Sequence, residues 1–177
     1  MFRSNPTVSK GVSRHTYCCH TRVRKKIMKK ENLFFLLVDS KICSVDEIKG
    51  ASLHQIEELE RTAGKKLPKE YCEFLLAVGN GAGNFLRGTD IFLPNLDGIK
   101  EEAEKLLREN AEEVELTPET FVFSMHQSYE FTYFDFLEGD NPPIYQYVEG
   151  NGPPVLTWGS FDNYLNDVIG QHFRSLR

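Results

Sequence analysis

Residues 67–81 read LPKEYCEFLLAVGNG and carry the clearest structural pattern in the chain. Its apolar and aromatic side chains recur at intervals of three and four residues, which predicts an amphipathic helix with one buried face. Pro68 suits the first helical position, where a backbone N–H would have no partner in any case. The Gly-Asn-Gly run at 79–81 is expected to end the helix and turn the chain. The side chains of the expected buried face are Tyr71, Phe74, Leu75 and Val78.

A second helix is predicted just before this one, at about residues 53–63. Ser52 is placed to cap it, with Gln55 three residues later, in the pattern of a capping box. Gly64 follows the last apolar position, where a left-handed residue commonly ends a helix. Further upstream, the six apolar residues 33–38 predict a buried strand or helical turn, since a membrane span needs about 20 such residues.

The second half of the chain is dominated by short strands separated by turns. We expect a short strand at 90–94 and a third helix at about 98–112, capped by Asp97. Ser160 is placed to cap a final helix. Helices, then strands on short turns, then one closing helix predict an α+β fold with a mainly antiparallel sheet. The main strands, rich in aromatic and β-branched residues, are expected at 121–123, 131–136, 144–148 and 155–158.

Charge is unevenly distributed along the chain. Residues 1–30 carry nine of the 21 basic residues and no acidic ones, whereas residues 31–177 hold all 26 acidic and the other 12 basic residues, a formal charge of −14. Such an acidic surface disfavours phosphate backbones and favours basic partners. We therefore predict one domain over 31–177 that binds a basic protein and makes no direct contact with nucleic acid or membrane.

The basic segment 1–30 is predicted to be disordered or a non-native extension, because Met28 opens a run that resembles a natural start. An organellar transit peptide and a basic arm for nucleic acid are the open alternatives. A cytoplasmic location is the simpler expectation, since the four cysteines form no C-x-x-C pair. A disordered segment would not hold its candidate metal ligands in place. Those ligands are His15, Cys18, Cys19 and His20.

Several motifs occur in the order found in the SUKH superfamily of Smi/Knr-like proteins, which the chain resembles over residues 50–173. Residues 53–81, in which a helix precedes the Leu-Pro, aromatic, Phe-Leu and Asn-Gly pattern, resemble the opening motif of that family. Residues 121–123 and 143–147 resemble two of its strands, and residues 158–165 resemble its closing helix. The matching residues have the spacing of core packing and helix termini, so structural roles are expected for them. They are Leu67, Pro68, Tyr71, Phe74, Leu75, Asn80, Gly81, Trp158, Ser160, Phe161 and Leu165.

The resemblance implies a binding role without catalysis. The family includes bacterial immunity proteins that neutralise toxins, often nucleases, and fungal regulators of cell-wall synthesis that act as interaction hubs. The chain is therefore predicted to be a non-enzymatic protein-binding module whose acidic face occludes the basic active-site cleft of a toxin. A regulatory interaction hub, in cell-wall or organellar regulation, is the alternative.

The contact surface is predicted on the β half of the chain. Strand parity places Tyr145 and Tyr147 on one face of their strand and Ile144 on the other. Because Ile144 would normally choose the core, the tyrosines are left for a partner. The glutamate-rich run over 101–115 is either a solvated helix face or a second docking face. The expected contact residues are Glu130, Asp135, Asp140, Tyr145 and Tyr147.

Patterns for catalysis and phosphate binding are weak. His126 lies near Tyr129 and Glu130, and a pair of histidine and carboxylate is typical of acid–base chemistry. No nucleophile or metal-ligand cluster accompanies it in the sequence, so a hydrolase is a remote alternative. The glycine-rich run 79–83 follows a helix, whereas a phosphate-binding loop follows a strand and opens a helix. The sequence therefore predicts no catalytic residue, no metal and no cofactor.

Overall fold

The computed structural model describes residues 30–175. This part of the chain forms five α-helices and seven β-strands, and the four longer strands follow one another between the fourth and fifth helices. Short 3-10 turns lie at Val45–Glu47, Leu93–Asn95 and Phe136–Glu138. In chain order the elements are α1 (Lys30–Asp39), β1 (Ile48–Lys49), α2 (Leu53–Ala63), α3 (Lys69–Val78), β2 (Gly81–Ala82), β3 (Thr89–Asp90), α4 (Ile99–Glu109), β4 (Thr120–His126), β5 (Glu130–Asp135), β6 (Ile144–Val148), β7 (Val155–Trp158) and α5 (Phe161–Ser175).

The boundaries of α2 and α3 follow from local sequence. The Gln55 backbone N–H donates to Ser52 Oγ at 3.2 Å, and the Ser52 N–H donates to Gln55 Oε1 at 3.0 Å, which completes the predicted capping box. Helix α2 ends at Gly64 with φ 67°, a left-handed conformation that glycine adopts without strain. Pro68 is the N-cap of α3 and not its first helical residue, so the helix begins at Lys69, one residue later than predicted.

The strands form two antiparallel sheets. Strands β1 and β2 make a two-stranded ribbon, and β3 to β7 form a five-stranded sheet in which each strand pairs with its neighbour in sequence. All pairings are antiparallel. The prediction of an α+β fold with a mainly antiparallel sheet and a closing helix is therefore confirmed.

The main core lies between one face of the large sheet and helices α3 and α5, with α1 packed on α3. Aromatic rings dominate it. The Tyr71 ring contacts those of Phe123 and Phe161, with centroids 5.8 and 5.2 Å apart. Leu33 and Leu37 of α1 are buried in the same core, at 1% and 0% exposure. Helix α1 is therefore part of this packing, although the resemblance began only at residue 50.

A second core covers the other face of the sheet. Helix α4 lays one apolar side against strands β4 to β6, while its glutamates face outward. The buried residues of the second core are Ile99, Ala103, Leu106, Leu107, Val122, Met125, Phe131 and Tyr147.

The apolar run 33–38 lies within α1. Of its two predicted alternatives, a buried strand or a helical turn, the helix is the one that forms.

The motif residues have the structural roles expected of them. The Asn80 side chain donates to the Gly50 carbonyl at 3.0 Å and accepts from Gln55 Nε2 at 3.1 Å, so it ties the α3 terminus to the start of α2. A side chain at Gly50 would bring its Cβ within 2.1 Å of the Leu76 carbonyl oxygen, so the chain approaches α3 at a distance that only glycine permits. Gly81 has φ 134° at the start of β2. Buried in the core are Leu67, Tyr71, Phe74, Leu75, Phe161 and Leu165.

The start of the closing helix also behaves as predicted. Ser160 Oγ accepts a hydrogen bond from the Asn163 N–H at 3.3 Å, which satisfies one of the free donors at the N-terminus of α5. The Trp158 indole donates to Asp167 Oδ2 at 3.2 Å and joins β7 to the middle of α5.

Two local predictions are wrong. The strand expected at 90–94 is only the pair Thr89–Asp90, because the chain turns into a 3-10 helix that contains Pro94. Helix α4 is not capped by Asp97. Its N-cap is Gly98, with φ 75° and no side-chain cap, because the chain needs a left-handed residue to enter the helix there.

Candidate functional site

One face of the large sheet changes character along its strands. Where α3 and α5 cover it, the inward side chains are aromatic or aliphatic, and we call this part the apolar end, formed by Phe121, Phe123, Phe134 and Ile144. The pairing of β4 with β5 shifts between Val122 and Ser124, as in a β-bulge. Beyond the shift the side chains on this face are polar. We call this part the polar end, formed by Ser124, His126, Glu130, Thr132 and Gln146.

A cleft of about 490 Å³ lies over the polar end. Strands β4 to β6 supply its base. The C-terminal half of α5 forms one side and the loop 84–89 contributes another, because Thr89 pairs with His126 across β3 and β4. The lining residues outside the polar end are Asn84, Leu86, Arg87, Thr89, Tyr129, Trp158, Tyr164, Val168, Gln171 and His172.

The base of the cleft is a network of hydrogen-bonded polar groups. The hydroxyls of Ser124 and Thr132 bond each other while 4% and 2% exposed. Burial raises the pKa of the neighbouring Tyr164 to about 12, and hydrogen bonds from Ser124 and Thr132 act against that shift. Gln146 Nε2 donates to Glu130 Oε1 at 2.8 Å. The bond from Gln146 holds the Glu130 carboxylate beside the buried pair of hydroxyls.

The rim of the cleft includes the β4–β5 hairpin. Its two turn residues, Gln127 and Ser128, have φ 45° and 59°, a left-handed pair that type I′ turns require and that glycine or asparagine usually supplies. The turn presents Tyr129, which is 38% exposed and packs edge-on against the His126 ring at 5.5 Å. The His126 Nδ1 atom in turn shares a 2.8 Å hydrogen bond with the Thr89 hydroxyl.

Comparison with known proteins identifies the family. A family model described as SMI1-KNR4 cell-wall matches residues 53–165, which include the opening motif and the first residues of the closing helix. The chain belongs to the SUKH superfamily. The predicted SUKH relationship is thus confirmed, and SUKH proteins of the SMI1-KNR4 kind are generally non-enzymatic. No curated protein matches the chain.

His126, the residue on which the hydrolase alternative rests, lies in the cleft of this SUKH domain. The His126 Nδ1 atom is engaged by Thr89, and the Ser124 hydroxyl is engaged by Thr132. Nucleophilic catalysis needs a hydroxyl or thiol within hydrogen-bonding reach of the base, as in a serine–histidine pair. Within residues 30–175 the hydroxyl that reaches His126 is that of Thr89, and no group of three His, Cys, Asp or Glu side chains is placed to hold a metal ion.

The predicted contact residues do not form one surface of the SUKH domain. Glu130 lies in the cleft, whereas Tyr145 lies on the opposite face and toward the other end of the strands. There Tyr145 stacks on Tyr133 at 5.2 Å and donates to Glu138 Oε1 at 2.9 Å, a bond that raises its pKa. Asp135 accepts from the Leu137 N–H at 2.8 Å and so caps a 3-10 turn. Asp140 is exposed in the following loop.

Tyr147 is a clear correction. Strand parity is right, because Tyr145 and Tyr147 lie on the face opposite Ile144. Tyr147 is nevertheless 0% exposed and stacks on Phe131 at 5.2 Å beneath α4. The prediction of an outward contact fails because both faces of this sheet are covered, so leaving one core does not bring a side chain to solvent.

The sequence interpretation missed most of the cleft. No role was expected for Arg87, Thr89, Ser124, Thr132 and Gln146. One signal was present: Ser124, Thr132 and Gln146 are polar at positions whose parity points toward a core. The predictions for residues 1–29, including disorder, targeting and metal binding, lie outside the described residues. None of the helices in the described part is both long and apolar enough to cross a membrane.

Proposed function

We propose that this protein is a non-enzymatic module that binds a basic protein, in the manner of an immunity protein that covers the active-site cleft of a toxin. The observation that supports this most is the formal charge of −14 over residues 31–177 in a chain of the SUKH superfamily. A strongly acidic surface attracts a basic partner over distances beyond contact and speeds association.

The test is capture of the partner at two salt concentrations. The full chain is used as bait in its native cells, at about 0.1 M and about 1 M salt, where the Debye length falls from about 10 Å to about 3 Å. An unrelated acidic protein of similar charge serves as control bait and removes proteins that bind any acidic surface. We expect one stoichiometric basic partner at low salt only. A partner without net positive charge, or equal capture at both salts, would contradict the proposal.

The inhibitory role is tested with the partner in hand. An immunity protein predicts that the partner alone arrests growth, that co-expression of this chain restores it, and that the complex lacks the partner's activity. Mixing at increasing ratios should abolish that activity at one equivalent. A partner whose activity persists in the saturated complex would rule out occlusion.

A regulatory interaction hub is the second candidate. The description of the matched family, SMI1-KNR4 cell-wall, favours it. This role predicts a partner that is harmless alone and a deletion strain that is sensitive to cell-wall stress. In this role the basic segment 1–30 would act as a targeting signal, so a chain without it should change its location in the cell. An unchanged location would remove the targeting idea.

A further inference from the structure

We propose that the cleft over the polar end accepts a lysine or arginine side chain, carried on an extended segment of a basic protein partner, with Glu130 as its counter-ion. This inference rests on the proposed function and names the place where the partner's positive charge is received.

Inward positions at the polar end carry hydroxyl groups in place of the aromatic rings that fill the apolar end. Ser124 and Thr132 occupy inward positions on the same face as Phe123 and Phe134, and all four are nearly fully buried. Burying hydroxyl groups is unfavourable unless they are hydrogen-bonded, and even then it contributes less than packed aromatic rings. A polar base under an open cleft is the arrangement of a binding site.

The charged groups that line the cleft favour a positively charged ligand. Glu130 is the one carboxylate among the residues lining the cleft, and Gln146 holds it in position. Arg87 also lines the cleft, but it is exposed on the loop 84–89. A carboxylate held at the base of the cleft favours a cation there, and the formal charge of −14 over residues 31–177 repels anions.

The aromatic side chains that border the cleft also suit a cationic ligand. Tyr129, Trp158 and Tyr164 border the same cleft as Glu130. Aromatic faces attract ammonium and guanidinium groups and pack against the apolar stems of lysine and arginine. A partly exposed tyrosine and a tryptophan around a buried polar contact are also the usual composition of an interface hot spot.

The cleft can also receive the backbone that carries the lysine or arginine side chain. About 490 Å³ is within the range of pockets that hold a small ligand, so the cleft has room for a side chain and the backbone that carries it. Asn84, Arg87 and Gln171 line the cleft and can donate to the carbonyl groups of such a segment. His126 and His172 are the remaining titratable groups of the lining outside its tyrosines.

The test uses the full chain and capped pentapeptides, acetyl-Gly-Gly-Xaa-Gly-Gly-amide, with arginine, lysine, glutamine or glutamate at the centre. Trp158 is the only tryptophan in the sequence and lines the cleft, so its fluorescence and its indole N–H resonance report directly on binding. We expect the arginine and lysine peptides to shift both, together with the amide resonances of Tyr129, Glu130 and Gln146. The glutamine and glutamate peptides should leave them unchanged.

Two variants with the same change of charge make the test specific. Glu130→Gln keeps an acceptor for Gln146 and removes the charge, and it should weaken the arginine peptide about tenfold or more, as expected for a hydrogen bond to a charged group. Glu102→Gln is the matched control, because Glu102 is exposed on α4, on the other side of the sheet. It should leave the affinity within about twofold, since isolated surface charges are screened by salt.

Several outcomes would overturn the inference. Equal binding of the glutamine and arginine peptides would show that the cleft does not select for positive charge. An equal effect of E130Q and E102Q would reduce the binding to general attraction by an acidic surface. Binding of the glutamate peptide that is lost in Arg87→Gln would make the cleft an anion site.

The partner capture experiment separates this inference from the proposed function. If wild-type protein and E130Q hold the same basic partner with equal affinity, the proposed function stands and the cleft is not the contact. If E130Q loses that partner while E102Q keeps it, the cleft is the contact and both stand. If the bait holds no basic partner and no peptide shifts Trp158, both fail.

Discussion

The apolar end and the polar end of the large sheet lie on the same face of the same strands, yet they are built for different tasks. At the apolar end, Phe121 stacks on Phe134 at 5.1 Å, and α3 and α5 exclude water. At the polar end, Ser124 and Thr132 are equally buried, but they bond to each other and to Tyr164 at the base of an open cleft. We therefore expect stability to depend mainly on the apolar end, and we propose recognition for the polar end.

The largest effect should come from the apolar end. Phe134→Ala removes a fully buried ring that contacts Phe121, Phe123 and Tyr71, and it should lower the free energy of unfolding by about 3–5 kcal/mol. Urea denaturation followed by circular dichroism measures it. The matched truncation at the other end is Tyr129→Ala, which removes a partly exposed ring from the rim and should cost about 1 kcal/mol or less. Equal losses would dissolve the contrast between the two ends.

Alkaline pH should destabilise the fold through buried tyrosines at both ends. Tyr164 has a pKa raised from 10.0 to about 12, chiefly by burial. Below about pH 10 the phenol is protonated in both states, and above it only the unfolded chain ionises, so stability is present below pH 10 and is lost as pH rises toward 12.

The loss attributable to Tyr164 should be about 2 kcal/mol, since one pKa unit corresponds to 1.36 kcal/mol. It is measured as the difference in unfolding free energy between about pH 9 and about pH 12. Tyr164→Phe should make that difference smaller. A pH dependence that is identical in wild type and Tyr164→Phe would contradict the assignment.

A pair of tyrosine-to-phenylalanine changes should have opposite signs at the two ends. The Tyr71 hydroxyl is buried at the apolar end without a hydrogen-bond partner among the described residues. Its removal in Tyr71→Phe should stabilise the protein by about 1 kcal/mol, because an unpaired buried polar group costs about 1–3 kcal/mol. Tyr164→Phe removes bonds to Ser124 and Thr132 and should destabilise by about 1 kcal/mol at neutral pH. Thermal denaturation gives both values, and a destabilised Tyr71→Phe would mean that its hydroxyl is satisfied.

The smallest effect should come from the hairpin at the rim. Ser128→Gly replaces a residue with φ 59° by one that adopts this conformation freely, and it should raise the free energy of unfolding by about 0.5 kcal/mol. Ser52→Gly is the control with the same chemical change, since Ser52 has φ −79° and caps α2, so the change should destabilise slightly. Equal signs for the two variants would show that the turn is not strained.

Much of the fold was predictable because it depends on neighbours in sequence. The two ends of α2 are set by contacts between residues at most five positions apart. Ser52 and Gln55 form the capping box at its start, and Gly64 ends it. The 3.6-residue spacing in α3 correctly marked Tyr71, Phe74 and Leu75 as buried. The candidate site was predictable only in part. Glu130 was selected for its charge, but neither its position beside Gln146 nor its separation from Tyr145 can be derived from spacing along one strand.

Local sequence was enough to predict the α+β class, helices α3 and α5 of the main core, the family and the acidic character of residues 31–177, because periodicity, caps and composition depend on neighbouring residues. Only the tertiary structure decided that α4 buries Tyr147, and that a shift in strand pairing at Val122 to Ser124 separates an apolar end from a polar one. It also brought Arg87, Glu130 and Trp158 to one cleft. The physical reason is that side-chain parity says which residues share a face, whereas the elements that cover that face are set by contacts between segments far apart in the chain.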